Sequence, residues 1–247
     1  MRLVSVLRVS VRRHPVVEAI AYHGWGFDHS CWQPWKPAFE RQGIALQGFD
    51  RGYFGHPAAP RFSTVSSRKI ILTHSYGLHL CPPEHLHQAD LIVILSGFQS
   101  FHPSQPTARR RSQLTLQRMI RQFEHSPKLG LETFHATCYA PLTWAGDAVQ
   151  NLQTKIDWLN ADLLLQDLRA LNTAWLDIDP LTTRSKILVI QGARDRITLP
   201  ERAQALAQQL PTGHYIEVPS AGHALPLTHW ADGWRSLVPL LQDLPTA

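Results

Sequence analysis

The sequence predicts an α/β fold in which a mostly parallel sheet is covered by helices on both faces and carries a helical insertion. Short apolar segments of strand length alternate with segments of helical period near both ends of the chain. Between residues 98 and 183 the strand pattern is replaced by helical periodicity. Alternating strands and helices are typical of parallel sheets, and the continuously apolar residues 91–95 suit a strand buried on both sides.

Length and composition fit one large domain with an insertion. The chain has 247 residues, of which 44% are hydrophobic and 17% are charged, as in a globular protein with a substantial core. We assign residues 1–98 and 184–247 to the core and residues 99–183 to a helical cap. No apolar run approaches the roughly 18 residues that a membrane span requires. Arginines interrupt the apolar N-terminus, so a secretory signal is not expected there.

Cysteine, histidine and charge content narrow the function classes. Cys31, Cys81 and Cys138 are odd in number and widely spaced, which argues against a disulfide framework and for a reducing compartment such as the cytoplasm. Histidine is common, but no third ligand stands at a recognisable metal-site spacing, so we expect no metal and no cofactor. The net charge of +5 and the pI near 9.4 indicate an acidic partner.

The remaining elements follow from local patterns. Imperfect alternation over residues 3–11 predicts a peripheral edge strand, and residues 16–22 form a second apolar run. Aromatic residues at helical spacing, Trp32, Trp35 and Phe39, predict a helix over residues 30–42 that packs on the sheet. In chain order, further strands are predicted at residues 44–49, 70–72, 91–95, 187–190 and 215–218, and further helices at residues 200–210 and 230–241.

The stretch Ile-Ile-Leu-Thr-His-Ser-Tyr-Gly at residues 70–77 has the pattern of a buried strand that ends in a sharp turn with a serine at its apex. Such a nucleophile elbow needs compact residues two positions before and two after the serine. Gly77 meets the second requirement, and Thr73 stands where glycine is usual. Ser75 is therefore the candidate nucleophile. His74 beside it is expected to point away and pack.

An acid and a base follow in the order that a Ser-Asp-His triad on such a fold requires. Asp195 follows an apolar strand and a glycine turn, and His223 lies in a glycine-containing loop after the next strand. His223 would take the proton of Ser75, and Asp195 would fix the imidazole tautomer. Asp179 is an alternative acid, but it precedes its strand and so belongs to the junction with the cap.

A His-Gly-Trp-Gly turn at residues 23–26 follows the first buried strand. Together with the serine turn, the late aspartate and the late histidine, it resembles the α/β-hydrolase superfamily over nearly the full chain. Within that superfamily, the turn and a basic helical cap look most like the biotin-synthesis carboxylesterases, which cleave the methyl ester of pimeloyl-acyl carrier protein. Two departures are Thr73 and the prolines at residues 82–83, which shorten the helix after the serine.

The resemblance implies an activity and its residues. The nucleophile matches Ser75, the acid Asp195 and the base His223. The backbone amides of Trp25 and Tyr76 match the oxyanion donors, while the Trp25 side chain could wall the acyl pocket. A thioesterase, a lipase-like esterase or a lyase of menaquinone synthesis would use the same triad. The alternative outside the enzymes is a binding protein that has the hydrolase fold but no catalytic activity.

The two parts of the predicted cap carry opposite net charges. Residues 103–128 carry six basic residues and one acidic residue, whereas residues 132–179 carry two basic and seven acidic residues. If the apolar stripe of residues 103–128 faces inward (Leu116, Ile120 and Phe123), three arginines lie together on the outward side: Arg111, Arg118 and Arg121. These arginines form either a solvated face or a docking site for an acidic carrier protein. No stacking aromatics accompany them, so nucleic acid is not expected. We expect a monomer.

Overall fold

A six-stranded sheet forms the centre of the protein in the computed structural model, which describes residues 16–66, 68–181 and 185–244. The strands are β1 (Val17–Tyr22), β2 (Ala45–Gly48), β3 (Arg68–His74), β4 (Leu91–Leu95), β5 (Lys186–Gly192) and β6 (Gly213–Val218). Their order is β2-β1-β3-β4-β5-β6, and every neighbouring pair is parallel. The predicted sheet is confirmed. The edge strand predicted at residues 3–11 lies outside the described residues.

Both faces of the sheet are buried. Along β3, Ile70 and Leu72 belong to one hydrophobic cluster, whereas Ile71 belongs to the cluster on the opposite face. All five residues of β4 are fully buried, in agreement with its unbroken apolar sequence. The carboxyl ends of the parallel strands therefore meet at one edge, where α/β proteins place their ligand sites.

Helices cover the sheet and occupy the chain between β4 and β5. In chain order they are α1 (Lys36–Arg41), α2 (Gly77–Leu80), α3 (Pro83–Gln88), α4 (Pro106–His125), α5 (Pro127–Tyr139), α6 (Asp147–Gln153), α7 (Ala161–Ala170), α8 (Pro200–Ala207), α9 (Leu225–Thr228) and α10 (Trp230–Gln242). The short α2 ends before the two prolines, as the sequence predicts. Among the described residues, no helix is both long and apolar enough to cross a bilayer.

The segment predicted as one helix over residues 30–42 is divided. Residues His29–Trp35 form a 3₁₀ helix and only the following residues form α1. Pro34 explains the division, because a proline has no N–H to donate within an α-helical ladder. The aromatic residues of this segment are nevertheless buried as predicted, with Trp35 and Phe39 inaccessible to solvent.

Helices α4 to α7 make up the insertion between β4 and β5, which we call the helical insertion. On α4, Leu116 and Phe123 are buried and Ile120 is half-buried, so the predicted apolar stripe faces inward. The division into core and cap at residues 98/99 and 183/184 stays a prediction, and residues 182–184 lie outside the described range.

Candidate active site

Ser75 occupies a strained turn between β3 and α2. Its φ is +52°, a left-handed conformation that is uncommon for residues other than glycine and often marks a functional site. Its amide donates to the carbonyl of Leu95 on the neighbouring strand at 2.9 Å. A Cβ on Gly77 would lie 2.4 Å from the Tyr22 carbonyl oxygen, so only glycine fits there. The turn thus has the backbone geometry of a nucleophile elbow.

Thr73 stands in this turn where glycine is usual, and its burial costs free energy. Its side chain is fully buried, and its hydroxyl has no hydrogen-bond partner among the described residues. An unsatisfied buried hydroxyl costs about 1 to 3 kcal/mol. The elbow therefore forms in spite of Thr73.

His223 and Asp195 form a buried pair at the same edge of the sheet. His223 Nδ1 lies 2.8 Å from Asp195 Oδ2, and the two side chains are 1% and 0% exposed. The carboxylate accepts from Nδ1–H, which leaves Nε2 of His223 free to accept a proton. The alternative acid, Asp179, is exposed in a 3₁₀ helix before β5.

Several donors hold the carboxylate of Asp195. Oδ1 accepts from the amides of Ile197 and Thr198 at 2.8 and 3.0 Å. Oδ2 lies 3.0 Å from Gln191 Nε2 and also 3.0 Å from Thr198 Oγ1. Burial raises the pKa of Asp195, but His223 and the amides of Ile197 and Thr198 outweigh it and bring the pKa below its ordinary value. The sequence analysis missed Gln191 and Thr198. The hydroxyl three residues after the aspartate was the available signal.

His74 connects the serine turn to the histidine loop. Its Nε2–H donates to the backbone carbonyl of His223 at 2.9 Å, and the two rings are 4.9 Å apart. Burial lowers the pKa of His74 to about 3, so its ring is neutral at pH 7. His74 packs as predicted, but it also contacts the base, which the sequence did not indicate. In the described structure no hydrogen bond joins Ser75 Oγ to His223. Such bonds are often long without substrate.

The loop that carries His223 packs directly against the end of α5. The amide of Ala224 donates to the carbonyl of Cys138 at 2.9 Å. A Cβ on Gly222 would lie 1.9 Å from the carbonyl oxygen of Ala140, so no side chain fits at this position. The helical insertion therefore helps to position the loop that carries the histidine.

Two backbone amides beside Ser75 are available as donors. Neither the amide of Trp25 nor that of Tyr76 donates to another described residue. A Cβ on Gly24 would lie 3.1 Å from Ser75 Cβ, which places this turn directly against the serine. Free amides at such a point can stabilise an oxyanion. These are the two donors that the resemblance implies, and their role stays a prediction.

His23 holds the glycine turn in place. Its Nε2 accepts from the Arg51 amide at 3.0 Å, and its Nδ1 therefore carries the proton and donates to the carbonyl of Gly24 at 2.9 Å. Burial lowers the pKa of His23, which favours the neutral ring that this arrangement requires. The turn that presents the Trp25 amide is thus fixed by an uncharged histidine.

The Trp25 side chain binds the helical insertion. Its indole Nε1–H donates to the carbonyl of Leu164 on α7 at 2.7 Å. Its ring contacts those of Phe123 and Phe134 edge to face, with centroids 5.7 and 4.8 Å away. Trp25 is 3% exposed, so it anchors the insertion over the serine turn.

Two charged contacts also join the insertion to the core. Asp167 on α7 accepts from Arg51 Nε at 2.8 Å and from Tyr53 Oη–H at 2.7 Å. Lys155 Nζ, before α7, lies 2.6 Å from Asp28 Oδ2. Burial raises the pKa of Asp28, but Lys155 more than compensates and lowers it overall. These ion pairs fasten the insertion to the core in addition to Trp25.

A cavity of about 620 Å³ lies between the core and helices α5 and α6. Phe27, Tyr139, Leu152 and Lys155 are among the residues that line it. The ring of Phe27 is 5.3 Å from that of His74, which lies beside His223. The volume is in the range of small-molecule sites. Phe27 thus lines this space and also contacts His74, the residue before the candidate nucleophile.

The predicted docking arginines are all exposed on α4: Arg111, Arg118 and Arg121. The one acidic residue on this helix, Glu124, forms an ion pair with Arg169 of α7. The free charge along the outer face of α4 is therefore positive. Within the described ranges, no group of three or more histidine, cysteine or acidic side chains is placed to hold a metal ion.

The parallel sheet, the strained serine turn and the buried Asp195–His223 pair define an α/β-hydrolase fold. Solved structures support this. An esterase from Exiguobacterium antarcticum superposes with a TM-score of 0.74 at 15% identity over 93% of each chain. A hydrolase from Oleispira antarctica gives 0.71 at 18% identity over 92% of this chain and 91% of its own. A bromoperoxidase from Bacillus anthracis gives 0.74 at 15% identity over 93% of each chain.

At these identities the likeness shows the fold, which is the one that the sequence predicts. No protein-family model matches the sequence, and no curated protein matches it. The activity must therefore be argued from the site itself.

Proposed function

We propose that the protein is a serine carboxylesterase that works through an acyl-enzyme. The observation that carries this proposal is the buried hydrogen bond between Asp195 and His223, next to a serine whose φ is +52°. A serine hydroxyl is a poor nucleophile until a neighbouring imidazole takes its proton. Asp195 favours the tautomer of His223 that can do so, because Nδ1 is already committed as a donor.

The proposed reaction uses these groups in turn. Ser75 Oγ attacks the ester carbonyl while His223 Nε2 takes its proton. The amides of Trp25 and Tyr76 donate to the oxyanion, and the protonated His223 returns its proton to the leaving alcohol. Water then attacks the acyl carbonyl while His223 takes its proton, and the protonated His223 gives this proton to Ser75 Oγ as the acid leaves.

We further propose that the substrate is the methyl ester of pimeloyl-acyl carrier protein. Three features support this choice: the His-Gly-Trp-Gly turn at residues 23–26, the cavity beside Phe27, which suits an acyl chain, and the positive outer face of α4, which suits an acidic carrier. A carrier is too large to enter the cavity, so it would remain at the rim while its acyl chain reaches Ser75. Complementary charge would mainly speed the encounter and fix orientation.

Labelling with a fluorophosphonate tests whether the serine is activated. The purified protein should react with the probe and hydrolyse short p-nitrophenyl esters, whereas Ser75→Ala should do neither. A second substitution, Ser66→Ala, serves as the control because Ser66 precedes β3, whereas Ser75 follows the other end of that strand. If neither protein is labelled or active, the chain is a binding protein of the same fold. If both are labelled and equally active, Ser75 is not the nucleophile.

Mass spectrometry of the products tests the substrate. With pimeloyl-carrier methyl ester, the carrier should lose one methyl group while its thioester stays intact. Release of the free carrier thiol would instead identify a thioesterase. If Ser75 is labelled but the carrier-bound ester is unchanged, the triad proposal stands and the substrate proposal is refuted.

A further inference from the structure

A second cleft lies along α4 and shares no lining residue with the cavity at Phe27. It is formed by α4 on one wall and by residues 196–202, which follow the acid Asp195, on the other. Its volume is about 390 Å³, within the range of small-molecule sites. Neither Ser75 nor His223 lines it.

The interior of this cleft is apolar. Its lining includes Phe101, Leu116, Met119, Ile197 and Leu199. Leu199 is 50% exposed, so the apolar surface continues to the rim instead of ending in the core. Methionine adapts to irregular apolar ligands because its side chain is flexible and polarisable. These side chains suit an unbranched hydrocarbon chain.

Three arginines supply positive charge to the same cleft. Arg111 comes from α4, and Arg196 and Arg202 come from the opposite wall. No aspartate or glutamate lines it, and within the described structure none of the three guanidinium groups takes part in an ion pair. Guanidinium groups bind carboxylate and phosphate through paired hydrogen bonds. An apolar cleft with unpaired arginines therefore complements an anion that carries a hydrocarbon chain.

We propose that this cleft binds a single-chain amphiphile with an anionic head group, either a carboxylate or a phosphate. The chain lies against Leu116, Met119 and Ile197, and the head group lies at the arginines. Each methylene buried should raise the affinity about fourfold. The proposal goes beyond the esterase activity, because the cleft is separate from Ser75 and binding there requires no catalysis.

Calorimetric titration of the Ser75→Ala variant tests the proposal. Decyl phosphate and decanoate are the two anionic probes, and the tighter of them identifies the head group. Decyltrimethylammonium should bind at least tenfold more weakly than either. Octyl phosphate should bind about fifteenfold more weakly than decyl phosphate, because two methylenes are lost. Equal binding of the cationic and anionic probes, or no binding of either anion at millimolar concentration, would overturn the proposal.

Paired variants locate the site. The double variant Arg196→Gln/Arg202→Gln should weaken decyl phosphate binding at least tenfold. The control is Arg109→Gln/Arg110→Gln, which removes the same charge from exposed positions outside the cleft and should change binding less than twofold. Met119→Trp should block the chain and reduce binding as well. An equal effect of the two arginine pairs would mean general charge attraction and would refute a site in the cleft.

Discussion

His74 Nε2 lies 2.9 Å from the backbone carbonyl oxygen of His223, so the residue before the candidate nucleophile holds the candidate base. The bond fixes the position of the loop that carries His223. His74 is therefore a positioning residue, and its neutral ring is the form that can pack 4.9 Å from the ring of His223.

Replacement of His74 tests this role. His74→Phe should lower kcat about ten- to hundredfold with little change in KM, because a misplaced base impairs proton transfer more than binding. His74→Gln can donate to the same carbonyl and should recover much of the loss. Kinetics on a p-nitrophenyl ester give both parameters, and a thermal melt checks the fold. Equal rates for His74→Phe and wild type would contradict the assignment.

Asp195→Asn should lower kcat by about four orders of magnitude, because the amide favours the wrong tautomer of His223. Thr198→Val removes only one of the contacts to the carboxylate and should cost about tenfold or less. Steady-state kinetics on the same p-nitrophenyl ester give kcat for both variants. If Asp195→Asn retained more than a tenth of the activity, another residue would have to orient the imidazole.

The contact between Asp167 and Arg51 should stabilise the protein measurably. Asp167→Ala leaves Arg51 and the buried Tyr53 hydroxyl without their partner, and we expect a loss of about 2 to 3 kcal/mol in urea unfolding. This value allows for the partial solvent exposure of Arg51, whose side chain is 31% exposed. The control is Asp232→Ala, which breaks an exposed pair with Arg235 and should cost less than about 1 kcal/mol. Similar losses for both would show that Asp167 is not a fastening point.

Buried neutral histidines should make the fold sensitive to mild acid. Burial lowers the pKa of His74 to about 3 and those of His79 and His135 to about 4. Unfolded histidine titrates near 6.5, so the unfolded state binds more protons as the pH falls from about 6.5 towards 4. Stability must therefore fall over this range. Asp28 and Asp195, whose pKa values are lowered, act in the same direction but only below about pH 4.

His135→Gln isolates one of these groups. Glutamine can keep the hydrogen bond to the Gly26 carbonyl without titrating. The loss of unfolding free energy between pH 7 and pH 4.5 should shrink by about 2 kcal/mol in this variant. Urea unfolding at several pH values gives the comparison. An unchanged slope would mean that His135 is accessible to protons in the folded state.

Charge reversal on α4 tests carrier docking. The triple variant Arg111→Glu/Arg118→Glu/Arg121→Glu should slow turnover of a carrier-bound ester severely and leave a small ester almost unaffected, because the triad is unchanged. Higher salt should imitate the variant, since exposed charges are screened beyond about 8 Å at physiological ionic strength. Equal losses on both substrates would show that the arginines support the fold of the insertion.

The sequence was sufficient where one local pattern decides the structure. The unbroken apolar run of β4, the glycine two residues after Ser75 and the prolines after α2 each leave few alternatives. It was insufficient where partners are distant in the chain. The bond from His74 to His223 spans 149 residues, and that from Arg51 to Asp167 spans 116. No periodicity encodes such pairs. Gln191 and Thr198 are only four and three residues from Asp195, but the sequence does not show that their side chains bond its carboxylate.

Gly222 links the site to the helical insertion through a single close contact. The carbonyl of Ala140 occupies the space that any Cβ at residue 222 would need, so only glycine fits there while the chain after α5 keeps its path. The position of the loop that carries His223 therefore depends on where α5 ends. A substitution that shifts the end of α5 should misplace His223 although it changes no residue of the site.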